Sequence, residues 1–176
     1  MQSRTSLGCL VLALLAAGVM EARGADEHHP TVASCPGLDA FKALTGDWVA
    51  KQVGGDEKEF TVNYKVTAGG SAVVETISPG TDHEMVTVIH GDGPDLVLTH
   101  YCMLGNQPQM KAPGDGKSKT VAFKFVRATN LGSDKDMYMH DVTYTFVDKD
   151  TLRSEWTHYN DGKPSGNVVF ELKRKS

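Results

Sequence analysis

Phe41-Lys42-Ala43-Leu44-Thr45-Gly46-Asp47-Trp48 decides the fold, because the hydrophobic period changes inside it. Upstream, Pro36-Gly37 opens a helical stretch from Leu38 to Leu44. There Leu38, Phe41 and Leu44 recur at i, i+3 and i+6 and make one apolar stripe over two turns. Downstream of Gly46 the pattern is strand-like to the end of the chain. Turn clusters fall at Gly54-Gly55-Asp56, Gly69-Gly70, Pro79-Gly80, Gly91-Asp92-Gly93-Pro94, Pro113-Gly114-Asp115-Gly116, Asp148-Lys149-Asp150 and Asn160-Asp161-Gly162. Between them, runs rich in Val, Thr, Ile, Phe and Tyr predict strands near 47–53, 58–67, 71–78, 83–90, 95–103, 119–127, 137–147, 150–159 and 166–174. Short strands joined by hairpins predict an all-β, up-and-down antiparallel barrel of about nine or ten strands, with a short N-terminal helix. Closure leaves no exposed sheet edge.

The first residues read as a targeting segment. Arg4 supplies a positive start, Leu7 to Val19 is an apolar run of signal length, and Ala22-Arg23-Gly24 offers a cleavage site before Ala25. Residues 1–24 are therefore expected to be a signal peptide, 25–36 a flexible polar leader and 37–176 the barrel domain. The expected location is exported, periplasmic or secreted, and no integral membrane segment is expected after cleavage. The chain has a net charge of −4, and losing Arg4, Arg23 and Glu21 makes the remainder more negative. That argues against nucleic acid, whose phosphates call for a clustered basic face. Cys35 and Cys102 would both meet an oxidising compartment, bridged or free. A bridge closing so long a loop stabilises by about 4–5 kcal/mol on the chain-entropy model.

The stretch from the helix through Gly46-Asp47-Trp48 resembles the opening of lipocalin-like (calycin) barrels, where a short helix leads into Gly-x-Trp on the first strand. The resemblance implies that Trp48 lies across the closed end and packs under a basic residue from a late strand, Lys173 or Arg174. Gly46 lets the chain enter the barrel closely. Val73-Val74-Glu75-Thr76, His83-Glu84-Met85-Val86-Thr87-Val88 and Thr99-His100-Tyr101-Cys102 with Asn106-Gln107-Pro108 resemble a group of small secreted bacterial proteins of unassigned function. Haem-binding barrels of the nitrobindin type share the broad architecture, but their haem-ligand segment has no match here.

Side chains alternate between the two faces of a strand, so apolar neighbours report which way a polar residue points. Leu96 and Leu98 put His100 and Cys102 inside. Val142, Tyr144 and Phe146 do the same for Tyr138 and His140. Leu152 and Trp156 bring in Ser154 and His158, the latter near a rim, and Val121, Phe123 and Phe125 also point inward. Three of the seven histidines and one cysteine would then meet inside, at a cost unless hydrogen-bonded. This predicts an interior site of His100, Cys102 and His140 that contacts a transition metal, a haem iron or a polar head group. The ordinary alternative is that each histidine is a core or rim residue bonded to Tyr, Glu or backbone. Glu75 lies in a run apolar on both faces and is expected to be partly buried, with a raised pKa. Met137 and Met139 fall on the face opposite His140, which disfavours a copper site. His140 and Asp141, on opposite faces, are not expected to pair.

No Gly-x-Ser-x-Gly elbow, phosphate loop or dinucleotide fingerprint is present. The connection from Gly105 to Gly116 reads as the longest in the barrel and as a lid or rim over its mouth. The leading expectation is a binding module that encloses a small, largely apolar ligand. His100, Cys102, His140, Tyr144, Trp156, His158 and Glu75 would contact the ligand, and Gly46, Trp48 and Arg174 would serve the fold. One alternative is a hydrolase- or isomerase-type enzyme that uses an interior histidine with Glu75 or Cys102, with a carboxylate or thiol within about 3 Å of the imidazole. The other is a cell-envelope structural or interaction protein with a filled interior.

Overall fold

The computed structural model describes residues 35–55 and 58–176. The expected signal segment and residues 25–34 of the expected leader, with His28 and His29, lie outside the described residues, while Pro36, expected at the leader's end, begins the helix. Helix α1 (Pro36–Lys42) carries proline in its first turn, where a missing N–H costs no helical bond. Ten strands follow: β1 (Gly46–Gln52), β2 (Phe60–Thr67), β3 (Ala72–Ile77), β4 (Met85–Asp92), β5 (Asp95–Tyr101), β6 (Gln107–Pro113), β7 (Thr120–Thr129), β8 (Tyr138–Asp148), β9 (Thr151–Asn160) and β10 (Lys163–Arg174). Each pairs antiparallel with the next, and β1 also pairs with β10 to close the barrel.

Strand β6 corrects the reading of 105–116 as a lid. Its sequence, Gln107-Pro108-Gln109-Met110-Lys111-Ala112-Pro113, has weak strand propensity. Even so, Pro108, Met110 and Ala112 are buried in alternation, and β6 bridges β5 to β7. Strand propensity mostly measures fit to a half-buried pleated surface, and the gap between β5 and β7 supplies that surface.

Helix α1 and Trp48 close one end. The Phe41 ring packs on the adjacent strands β7 and β8, with edge contacts to Phe123, Tyr144 and Phe146 at 5.9, 5.3 and 5.2 Å. Trp48 is fully buried, and its Nε1–H donates to the Leu44 carbonyl at 2.7 Å. The Arg174 guanidinium lies 4.4 Å from the Trp48 ring centroid and donates to the Ala43 and Thr45 carbonyls at 2.8 and 2.9 Å. Carbonyls at a helix end lack intrahelical partners, so Arg174 ties the helix to the last strand while covering the indole. Lys173, the other candidate, turns away to Thr151 and Glu171. Gly46 has φ of 123°, a left-handed conformation that side chains strain.

Among the described residues the two cysteines, Cys35 and Cys102, are free. Cys35 sits against Asp95 and Gly114, at one end of β5, and Cys102 follows its other end. At about 3.3 Å per residue the strand holds them roughly 20 Å apart, well beyond disulfide reach.

Candidate functional site

Inward polar residues fall in one row because the hairpins bring them into register. Tyr64 of β2 faces Glu75 of β3, Glu75 faces Thr87 of β4, and Thr87 faces His100 of β5. Their hydrogen bonds run along the same row. Tyr64 Oη donates to Glu75 Oε1 at 2.5 Å, and Tyr144 Oη reaches across from β8 to donate to Oε2 at 3.1 Å. Thr87 also bonds the Glu75 carboxyl, and its Oγ1 lies 3.0 Å from His100 Nδ1.

Burial governs the protonation of this row. Glu75 is only 3% exposed, and loss of water raises its pKa against the opposing pull of the Tyr64, Thr87 and Tyr144 hydroxyls. His100 is 2% exposed, and burial pulls its pKa down to about 4, so the imidazole is neutral at physiological pH. The Tyr64 and Tyr144 hydroxyls are held protonated by burial and by the neighbouring carboxyl.

The histidine shift has a stability consequence. His100 titrates near 4 when folded and near 6.5 when unfolded. The unfolded chain therefore takes up the proton first as pH falls, and stability is lost between about 6.5 and 4. Between pH 7 and pH 4.5, wild type is expected to lose about 2–3 kcal/mol that His100→Leu retains. Glu75, with its raised pKa, acts in the opposite sense, so the difference between the two proteins isolates the imidazole. Urea unfolding at the two pH values measures it; parallel losses in both proteins would refute the assignment.

Above the row the barrel is hollow. A cavity of about 350 Å³ lies toward the end away from α1. Its walls are largely apolar, formed by Phe60, Val62, Ile77, Met139, Val168 and Phe170, with Glu75, His100, Ser154 and Trp156 as its polar or amphipathic members. Gln52 at the end of β1, with Lys58, Glu59, Ser78 and His83 from the β1–β2 and β3–β4 connections, marks the mouth. The His100 ring lies 5.0 Å from Trp156, and Tyr144 lies 6.2 Å from Trp156 on the other side.

The remaining expected contacts are placed differently. His140 does not face inward. A β-bulge leaves it without a partner on β9, since Met139 pairs with His158 and Asp141 with Thr157. The extra residue reverses the alternation, so Met139 lines the cavity in its place. His140 stacks on Tyr159 at 3.8 Å and on Phe125 at 4.5 Å. Its Nδ1 bonds Asp141 at 2.9 Å, although the two were expected on opposite faces. Phe125, expected inside, belongs to this stack and not to the cavity wall. Cys102 is buried in the turn after β5, where its N–H donates to the Asn106 carbonyl at 3.1 Å. It does not line the cavity. His158, expected to contact the ligand, does not line the cavity; its ring lies against Gly166, where an added Cβ would meet it at 3.0 Å.

His100, Cys102 and His140 therefore do not converge. Among the described residues no group of three or more His, Cys, Asp or Glu side chains stands together to hold a metal ion. The direct carboxylate–imidazole contact expected of the enzymatic alternative is replaced by a Thr87 bridge. Tyr64, Thr87 and Met139 were missed. Tyr64 and Thr87 were legible as polar tips in the inward alternations Val62-x-Tyr64 and Thr87-x-Ile89. Met139 carried no signal, because nothing local announces the bulge.

This is a closed antiparallel β-barrel with one plugged end and an internal cavity. Among solved structures it is similar to the crystal structure of Rv2717c from M. tuberculosis, at TM-score 0.58 and 14% identity over 82% of this chain and 100% of that one. A protein of unknown function of the DUF3598 family from Nostoc punctiforme PCC 73102 also matches, at TM-score 0.49 and 14% identity over 77% of this chain and 49% of that one. The first likeness is one of fold. No family model matches the sequence, and neither does any curated protein sequence. Among the described residues no helix is long and apolar enough to cross a membrane.

Proposed function

We propose that this chain is a calycin-like barrel that binds one small, largely apolar molecule in the cavity beneath its open end. The cavity itself carries the reading: about 350 Å³, at the lower end of the range for small-molecule sites, with apolar walls and few polar groups. A barrel built only for stability fills such a space, because empty volume forfeits packing. The Arg174–Trp48 stack supports the calycin kinship. The signal-like run Leu7 to Val19 supports export, which this reading includes.

A neutral environment-sensitive dye, N-phenyl-1-naphthylamine, tests the proposal. Saturable binding at one site per chain is expected. Val168→Trp, which adds bulk to a half-buried wall position, is expected to weaken binding about tenfold with the fold intact, about 1.4 kcal/mol. A folded wild-type chain without saturable binding, or a Val168→Trp chain that binds equally well, would sink it.

A further inference from the structure

Three groups around the cavity have unused hydrogen-bonding capacity. Thr87 occupies His100 Nδ1, while among the described residues Nε2 has no partner, and the same is true of Ser154 Oγ and Trp156 Nε1. All three side chains are at least nine-tenths buried and line the cavity. None of these atoms is sealed away from the hollow; among the described residues the one fully enclosed side-chain nitrogen or oxygen without a partner is Asn106 Oδ1, elsewhere in the barrel. Buried polar groups are nearly always paired, so three open ones around one apolar space describe what belongs there.

Charge narrows the choice. The mouth carries Lys58 and Glu59, both exposed, but no cation lines the interior beside His100, Ser154 and Trp156. An anionic head would lie unpaired near Glu75, and burying an unpaired charge costs several kcal/mol. A cationic head would find the Glu75 oxygens already taken by Tyr64, Tyr144 and Thr87. A hydroxyl suits the site in either arrangement of the row's protons. If Thr87 donates to Glu75, Nε2 accepts; if Thr87 donates to Nδ1, Nε2 donates. A hydroxyl serves both cases and still accepts from the Trp156 N–H.

We propose that the cavity takes an amphiphile with an uncharged hydroxyl head, such as a medium-chain alcohol. The head is bound inward between His100, Ser154 and Trp156, and the apolar tail runs toward the mouth. This rests on the binding reading above and adds the class and orientation of the ligand.

Displacement of N-phenyl-1-naphthylamine from the full chain at pH 7 by 1-decanol, decanoate and decylamine tests it, since the three share a ten-carbon tail. Decanol is expected to compete at least about tenfold better than either ion. His100→Leu should weaken decanol about tenfold, the worth of one neutral hydrogen bond, and leave the ions little changed. His100→Gln, which keeps a donor and an acceptor, should restore much of that loss. Trp156→Phe provides a second variant should His100→Leu fail to fold, and is expected to weaken decanol selectively as well. An ion that competes as well as decanol, or equal losses for all three probes in the variants, overturns the head-group assignment while leaving the cavity reading intact. No binding of dye or any probe overturns both.

Discussion

Glu75→Leu is expected to destabilise the barrel by about 3–5 kcal/mol, because it strands two buried tyrosine hydroxyls at once. Tyr64 and Tyr144 both donate to that carboxyl, and a buried donor without a partner costs about 1–3 kcal/mol, while Thr87 keeps His100 Nδ1 as a partner. Leucine fills the volume of Glu75 without supplying an acceptor. Glu75→Gln is expected to cost far less, about 1 kcal/mol, since its amide oxygen still accepts. The glutamine deficit should also depend on pH. Burial raises the Glu75 pKa, so the stability contributed by the protonated acid is present at low pH and lost as pH rises through the folded pKa. Glutamine does not titrate, and its deficit relative to wild type should be larger at pH 5 than at pH 8. Denaturant unfolding at both values measures the two effects. A leucine variant as stable as the glutamine one would show that the hydroxyls find other partners.

Trp48→Ala is the second large effect, about 4 kcal/mol, or roughly 8–16 °C in Tm for a domain of this size. Trp48 is fully enclosed at the plugged end, meets Tyr64 edge-on at 6.2 Å and supports the Arg174 guanidinium. Its removal opens a cavity, frees the Leu44 carbonyl and leaves the cation over a void. Trp48→Phe should cost less, about 1–2 kcal/mol, since it keeps a ring and loses the N–H bond to Leu44. Arg174→Met should cost about 1–3 kcal/mol through the carbonyls it leaves at the helix end. The pair should be non-additive, with a coupling of about 0.5–2 kcal/mol from the stacked cation. Thermal unfolding of the two single variants and the double variant closes the cycle. Strict additivity would mean that the stack contributes nothing beyond contact area.

Local sequence carried most of the outline. The change of period at Gly46 separates helix from strands because residues three and four apart share a helix face, while alternate residues share a strand face. That rule also turned Leu98-x-His100, Val142-x-Tyr144 and Leu152-x-Ser154-x-Trp156 toward the interior correctly. It failed at His140 for a reason of the same kind. One extra residue in β8 reverses the alternation, and a bulge is set by how β8 pairs with β9, not by any residue in Met139-His140-Asp141. Strand β6 was invisible because its prolines and glutamines become a strand only where β5 and β7 leave a space to bridge.

The candidate site divides along the same line. Sequence by itself placed His100 on the inward face it shares with Leu96 and Leu98 and put Glu75 in a run apolar on both faces, while the resemblance of Gly46-Asp47-Trp48 to calycin openings implied a late basic residue, Lys173 or Arg174, over the indole. Tertiary structure alone decided the register that places Tyr64, Glu75, Thr87 and His100 in one row, the removal of His140 and Cys102 from that row, and the cavity beside it. Register and hollow volume depend on strands far apart in the chain, so no window of sequence contains them. Burial and alternation are properties of a residue and its neighbours, and for that reason they could be read directly.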